Sequence, residues 1–194
     1  ILIQYTGAAR ATVERTKEEA MARAEEALAK CREDGADFAA LAKERGVKTV
    51  VKSKSMASEE THLNHALKDA GIEALETDLG EWIIQLAGER PSHMVMPAIH
   101  MLKEEVAELF SKVTGKEGPA EILHLVRLAR KQLRQGYLDA DMGISGANVA
   151  IAETGGLALV TNEGNGDLCA NLPSVLIVCT TLDRLLPRAR DAAA

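Results

Sequence analysis

Apolar residues along this chain fall into two alternating rhythms, short β-branched runs and helical stripes. Val47, Thr49, Val50 and Val51 make the first run, a composition that suits a pleated, half-buried strand. Before it, residues 12–34 are rich in Ala and Glu and predict a helix. Its stripe is thin, with Val13, Ala20, Ala24, Ala27, Leu28 and Cys31. A second helix is expected over 37–45, stopped by Gly46. Ser58 with Glu59 and Glu60 opens a further helix carrying Leu63, Ala66, Leu67 and Ala70 on one face and ending at Gly71. Residues 72–77 read as a strand, and Asp78 as the cap of a helix through Trp82 and Leu86. Residues 93–96 read as a third strand broken by Pro97, with Met94, Met96 and Met101 as core filler. The next helix aligns Ile99, Leu102, Val106, Leu109 and Val113. Another, with Pro119 in its first turn, aligns Ile122, Leu125, Val126, Ala129 and Leu133. Strands at about 156–160 and 174–179 close the series.

Short apolar strands alternating with amphipathic helices predict an α/β fold with a mostly parallel sheet flanked by helices. Ligands of such sheets sit beyond the carboxyl ends of the strands. Those ends are polar here: Lys52, Ser53, Lys54 and Ser55; Thr77 and Asp78; residues 97–100; and residues 161–165.

Composition narrows the function. With 194 residues, 46% hydrophobic and 27% charged, the chain suits a soluble domain with a sizeable core. Aromatics are only 3%, and the net charge of -6 opposes broad nucleic-acid binding, which relies on excess Lys and Arg. No stretch approaches the ~20 apolar residues that span a bilayer. Cys31, Cys169 and Cys179 are scattered and odd in number. That argues against a disulfide framework or a complete metal site, and for reduced thiols in the cytoplasm. The apolar start at Ile1 and the lack of an initiator Met suggest a fragment of a longer chain.

Candidate chemistry concentrates between residues 143 and 166, where Gly155, Gly156, Gly164 and Gly166 flank a short apolar run. Asn148, Asn162, Glu163 and Asn165 stand at its turns. They make either a ligand site or two ordinary turns around a strand. Glu153 follows the apolar run 149–152; a carboxylate there acts as nucleophile or base, or bonds the amides of its own turn. Lys52, Ser53, Lys54 and Ser55 offer ammonium groups and hydroxyls to a phosphate or carboxylate, or form a solvated loop. His100, just past Pro97, suits a proton carrier or a structural histidine. His62 and His65 lack the companions a metal site needs, so no metal is expected. Arg127, Arg130, Lys131 and Arg134 form a basic stripe that is either wet surface or a dock for an acidic partner.

Several stretches carry a family resemblance. They include residues 48–56 with 58–60, 76–81 with 83–88, 91–93 with 97–100, 140–143, 146–148, 152–155 and 159–166. Together they cover nearly everything from 47 to 183, and they resemble the lactate-utilisation iron–sulfur proteins of the LutB type. Residues 1–35 match poorly and stand apart as an N-terminal helical segment, while the resemblance implies an α/β LUD-like domain over 36–194, of the NagB/RpiA/CoA-transferase-like fold. It further implies a cytoplasmic complex with sister subunits of LutA and LutC type that oxidises L-lactate to pyruvate. Electron transfer would reside in a C-terminal part holding two [4Fe–4S] clusters, since no clustered cysteines occur here and no cofactor is expected within this fragment. The ligand face would comprise Lys52, Ser53, Lys54, Ser55, His100, Asn148, Glu153, Gly155, Asn162, Glu163, Gly164 and Asn165, holding a small anionic ligand. The alternative is an enzyme of the CoA-transferase or isomerase type that uses Glu153 on a small carboxylate, thioester or sugar phosphate, with His100 as the second catalytic candidate.

Overall fold

The computed structural model describes residues 46–193, together with residues 2, 3, 16, 18, 19 and 22. The helix expected over 37–45, most of that over 12–34, and the boundary between residues 35 and 36 lie outside the described residues. Within the first helix, Thr16 and Glu19 bond each other's backbone amides at 2.8 and 3.1 Å, a reciprocal cap.

The strands are β1 (Leu2–Ile3), β2 (Thr49–Lys52), β3 (Glu73–Glu76), β4 (Met142–Gly146), β5 (Val149–Ile151), β6 (Gly156–Ala158), β7 (Val175–Cys179) and β8 (Leu185–Leu186). The helices are α1 (Met56–Glu60), α2 (Leu63–Asp69), α3 (Leu79–Ala87), α4 (Lys103–Thr114), α5 (Ile122–Asp139) and α6 (Asn165–Asn171). The main sheet has the order β1-β7-β4-β2-β3. Its last four strands are parallel, and β1 runs antiparallel on the β7 edge. A small second sheet, β6-β5-β8, joins an antiparallel hairpin to one parallel strand.

The period of two along β2 builds the core on both faces. Val51 faces Trp82, Phe110, Leu125, Ala129, Leu133 and Cys169, from α3, α4, α5 and α6. Val50 faces Leu67, Ile72, Met142 and Ile144 on the α2 side. The sheet is thus parallel for the most part and covered by helices, as the alternation predicted. Trp82 and Phe110 meet with ring centroids 5.0 Å apart, giving an aliphatic core one aromatic pair.

Several expectations are corrected. The sequence pattern offers no strand at 142–146, yet β4 lies there, between β7 and β2 in the main sheet. A Cβ on Gly143 would stand 2.0 Å from the carbonyl oxygen of Cys169. Only a glycine lets α6 lie this close to the sheet. Residues 93–96 form no strand: His93 Nδ1 accepts the amides of Val95 and Met96 at 3.0 and 3.1 Å and folds the segment on itself. Met94 and Met96 are therefore exposed rather than core filler, while Met101 packs against the core. The α4 stripe is Val106, Ala107 and Phe110; Ile99, Leu102 and Val113 are exposed. The helix expected from Ser58 is two helices, capped by Ser55 and interrupted at His62, whose φ is 53°. Pro119 precedes α5, which adds Tyr137 to its buried face and leaves Ile122 exposed. The strand expected at 156–160 is β6 of the small sheet, antiparallel to β5. That at 174–179 is β7.

Candidate functional site at the carboxyl ends of the strands

Because β2, β3, β4 and β7 run the same way, the loops leaving their carboxyl ends share one rim. A cleft of about 690 Å³ opens there. Ser53, Lys54 and Ser55 enter it from the end of β2, Asp78 from β3, Asn148 from β4 and Thr180 with Thr181 from β7. The segment leading into α6 adds Asn162 and Glu163, and the first residue of α6 adds Asn165.

The hydroxyls of the β2 loop are held firmly. Ser53 and Ser145, both buried, share a hydrogen bond of 2.8 Å between β2 and β4. Ser55 caps α1, its hydroxyl accepting the Ser58 amide at 3.4 Å. A Cβ on Gly146 would press to 3.3 Å from that hydroxyl oxygen, so the glycine at the end of β4 keeps the cap in place. Asn148 uses its side-chain carbonyl to accept the Val160 amide at 2.8 Å, which brings the residue 160 segment to the rim. Gly164, at φ 78°, supplies the left-handed turn that starts α6. Thr161 donates to Asp167 at 2.9 Å across that turn.

Charge in the cleft is mixed. Lys54 Nζ lies 3.0 Å from the buried carboxylate of Glu81 and donates to the Val95 carbonyl at 3.2 Å. Its side chain stays about a quarter exposed. Arg184, on the lip, pairs with Asp183 at 3.3 Å. Asp78 accepts the amides of Gly80 and Glu81 at 3.1 and 3.4 Å and so caps α3, as the sequence indicated. Glu163 stands close to it. Burial, then the charge of Asp78, push the Glu163 carboxyl above its ordinary range, and a bond from the Leu79 amide partly opposes them. A carboxyl beside a capping carboxylate is placed to bond a hydroxyl in the cleft.

The other nominated residues lie elsewhere. Lys52 is fully buried, its Nζ 2.6 Å from Glu59 and 2.8 Å from Glu76, and it does not line the cleft. Burial works against its charge, but the attraction of Glu76 and the bonds to both carboxylates outweigh it and raise its pKa. The reason is alternation: Lys52 shares the face of Val50, under α1 and α2. Glu153 and Gly155 occupy the exposed β5–β6 turn, where the Glu153 amide donates to the Pro187 carbonyl at 3.1 Å. Neither lines the cleft. His100 sits in the turn before α4, bonded to Ser92 at 2.8 Å and to Glu89 at 2.9 Å, also away from it. Gly164 is flanked by two lining residues without lining the cleft itself. Asp78, Thr180, Thr181 and Arg184 line the cleft without having been nominated. The strand-end rule applied to residues 174–179 points directly at the two threonines.

The model of the LUD domain family matches residues 8–194. Among curated proteins, the chain is 42% identical over 161 residues to Lactate utilization protein B 2 of Bacillus mycoides and to Lactate utilization protein B of Bacillus thuringiensis and Bacillus cytotoxicus. Each match takes in 82% of this chain and 34% of the relative, so the chain spans about a third of the length of the proteins it matches. No solved structure gives a significant match.

Proposed function

The chain belongs to the LUD domain family, and from that premise we propose that it serves lactate utilisation as the ligand-binding domain of a LutB-type protein. The observation that carries the reading is the convergence of five segments, remote in sequence, on one polar cleft. The ligand is a small hydroxy- or keto-acid. Lys54 and Arg184 face its carboxylate. The hydroxyls of Ser53, Ser55, Thr180 and Thr181 and the amides of Asn148 and Asn162 bond its oxygens. Glu163 meets its hydroxyl or keto group.

The wider activity follows the relatives. We place the domain in a cytoplasmic complex with LutA- and LutC-type subunits that oxidises L-lactate to pyruvate. Among the described residues no helix is long and apolar enough to cross a membrane. A [4Fe–4S] cluster takes four thiolates, and this chain has three cysteines. Cys169 is buried against Thr77, with its thiol pushed up to about 12 by that burial. These residues do not fit a cluster, so we assign the two clusters, and electron transfer, to the portion of the relatives that lies outside the match. The alternative enzyme, with Glu153 as nucleophile or base, draws no support from a carboxylate exposed on a hairpin away from the cleft.

Calorimetric titration of the protein with L-lactate and with pyruvate tests the reading. Saturable binding that weakens about tenfold or more in Lys54→Met, and is unaltered in Glu153→Gln, is the expected result. Absence of saturable binding to both acids, or indifference to Lys54→Met, would overturn it.

A further inference from the structure

A second concavity, of about 950 Å³, lies along α5 on the far side of Glu163 and Asn165, which line both hollows. Its two long walls are helices. Val126, Leu133 and Leu138 come from α5, Leu168 from α6 and Leu172 from the cap that ends it. Leu138 is 56% exposed and Leu168 39%, so apolar surface remains open to water. Arg130, Lys131 and Arg134 stand on the α5 rim, and Arg127 continues their row one turn earlier. Among the described residues no carboxylate pairs with any of these four, although the chain as a whole carries a charge of -6.

We propose that this groove receives an acidic amphipathic helix from another polypeptide. The row from Arg127 to Arg134 extends along α5 by about 10 Å, at ~1.5 Å per residue. One carboxylate or phosphate cannot meet charges spread over that distance. Glutamates three and four apart on a helix lying beside α5 match it, and the same helix presents leucines to the two apolar walls. The geometry is that of a third helix completing a pair, with cations on one rim selecting for an acidic partner and setting its direction. An occupant reaching the end of the groove touches Glu163 and Asn165, and therefore the wall of the ligand cleft.

The test places a photo-crosslinking residue at the groove, Leu168→p-benzoylphenylalanine, in the protein within its own cells. A control sits at Lys68, on the other side of the sheet. The expected outcome is an adduct mapped by mass spectrometry to an acidic helical segment of another protein. Its yield should fall at least tenfold in Arg130→Glu/Arg134→Glu and recover when the mapped glutamates are changed to arginine. Circular dichroism of the double variant checks its fold, and Arg130→Gln/Arg134→Gln replaces it should it unfold. Four results overturn the proposal: no adduct above the Lys68 control, an adduct to residues of this same chain, an adduct to lipid or nucleic acid, or a yield indifferent to the arginine changes.

Discussion

Lys52 Nζ and Glu76 Oε1 lie 2.8 Å apart where the last residues of β2 and β3 face each other in register, and both side chains are buried. Glu59 shares the ammonium at 2.6 Å, and Asn64 donates to Glu76 at 2.6 Å. Two charges have thus left water together, which is tolerable only while each keeps its partner. Lys52→Met should cost about 3–5 kcal/mol in urea unfolding, because a buried carboxylate is left alone. Lys52→Met/Glu76→Gln should regain more than half of that. A single variant as stable as the parent would show that the pair is solvated.

The same lysine sets a limit at high pH. Its pKa is raised above 10.5 in the folded chain, so its contribution is complete below that value and is lost as pH rises through the folded pKa. The parent should therefore lose stability in strong alkali more steeply than Lys52→Met/Glu76→Gln does, as followed by the unfolding midpoint against pH.

Asp141 works at the other end of the scale. It accepts the amides of Lys48 and Thr49 at 2.9 and 3.0 Å and the Thr49 hydroxyl at 3.0 Å, tying the starts of β4 and β2 together. Slight burial opposes its charge, but these donors outweigh it and hold the carboxyl below 3.8. Its contribution is present above that value and lost as pH falls through the folded pKa. Asp141→Asn should be less stable than the parent at neutral pH, with the gap closing below about pH 3.8. A gap constant with pH would rule out an ionic role.

Gly143→Ala tests the close approach of α6 to β4. A Cβ placed 2.0 Å from a backbone carbonyl oxygen must move the helix. Overpacking of this kind costs about 1–3 kcal/mol, and the thermal midpoint should fall accordingly. Since Asn165 and Glu163 lie at the start of α6, affinity for the cleft ligand should fall with it. An alanine variant with unchanged melting would mean that α6 is not seated on the sheet.

Cys169 should resist alkylation. Its side chain is fully buried and its thiol is pushed up to about 12, so the reactive thiolate is scarce at pH 8. Mass spectrometry after iodoacetamide treatment should find Cys169 unmodified in the folded chain and modified in urea.

The architecture was legible because its signals are periodic. The β-branched run of β2, the Asp78 cap of α3 and the 125–129–133 spacing of α5 each state their own structure. The strand-end rule points to Lys54 at the end of β2, whereas Asn148 and Glu163 stand out as polar residues at glycine-bearing turns, and all three line the cleft. Other elements hid because a tertiary contact decided them. β4 carries glycine for the sake of α6 and of Ser55, and in one dimension that glycine signals a turn. The apolar 93–96 segment looked like a strand until the His93 ring bent it outward. Lys52 and Lys54 look equivalent as text, yet the strand ends between them, and one is sealed under α1 while the other reaches the cleft. Glu153 followed a strand, as a site residue does, but that strand belongs to the small sheet.

The paired charges at the end of β2 also act as an alignment mark for folding. A shift of β2 by one position would carry an ammonium group to the side occupied by Trp82 and Phe110 and would leave Glu76 opposite a valine. Misaligned pairings are thereby penalised as the helices dock, and Ser53 and Lys54 reach the rim in a single orientation.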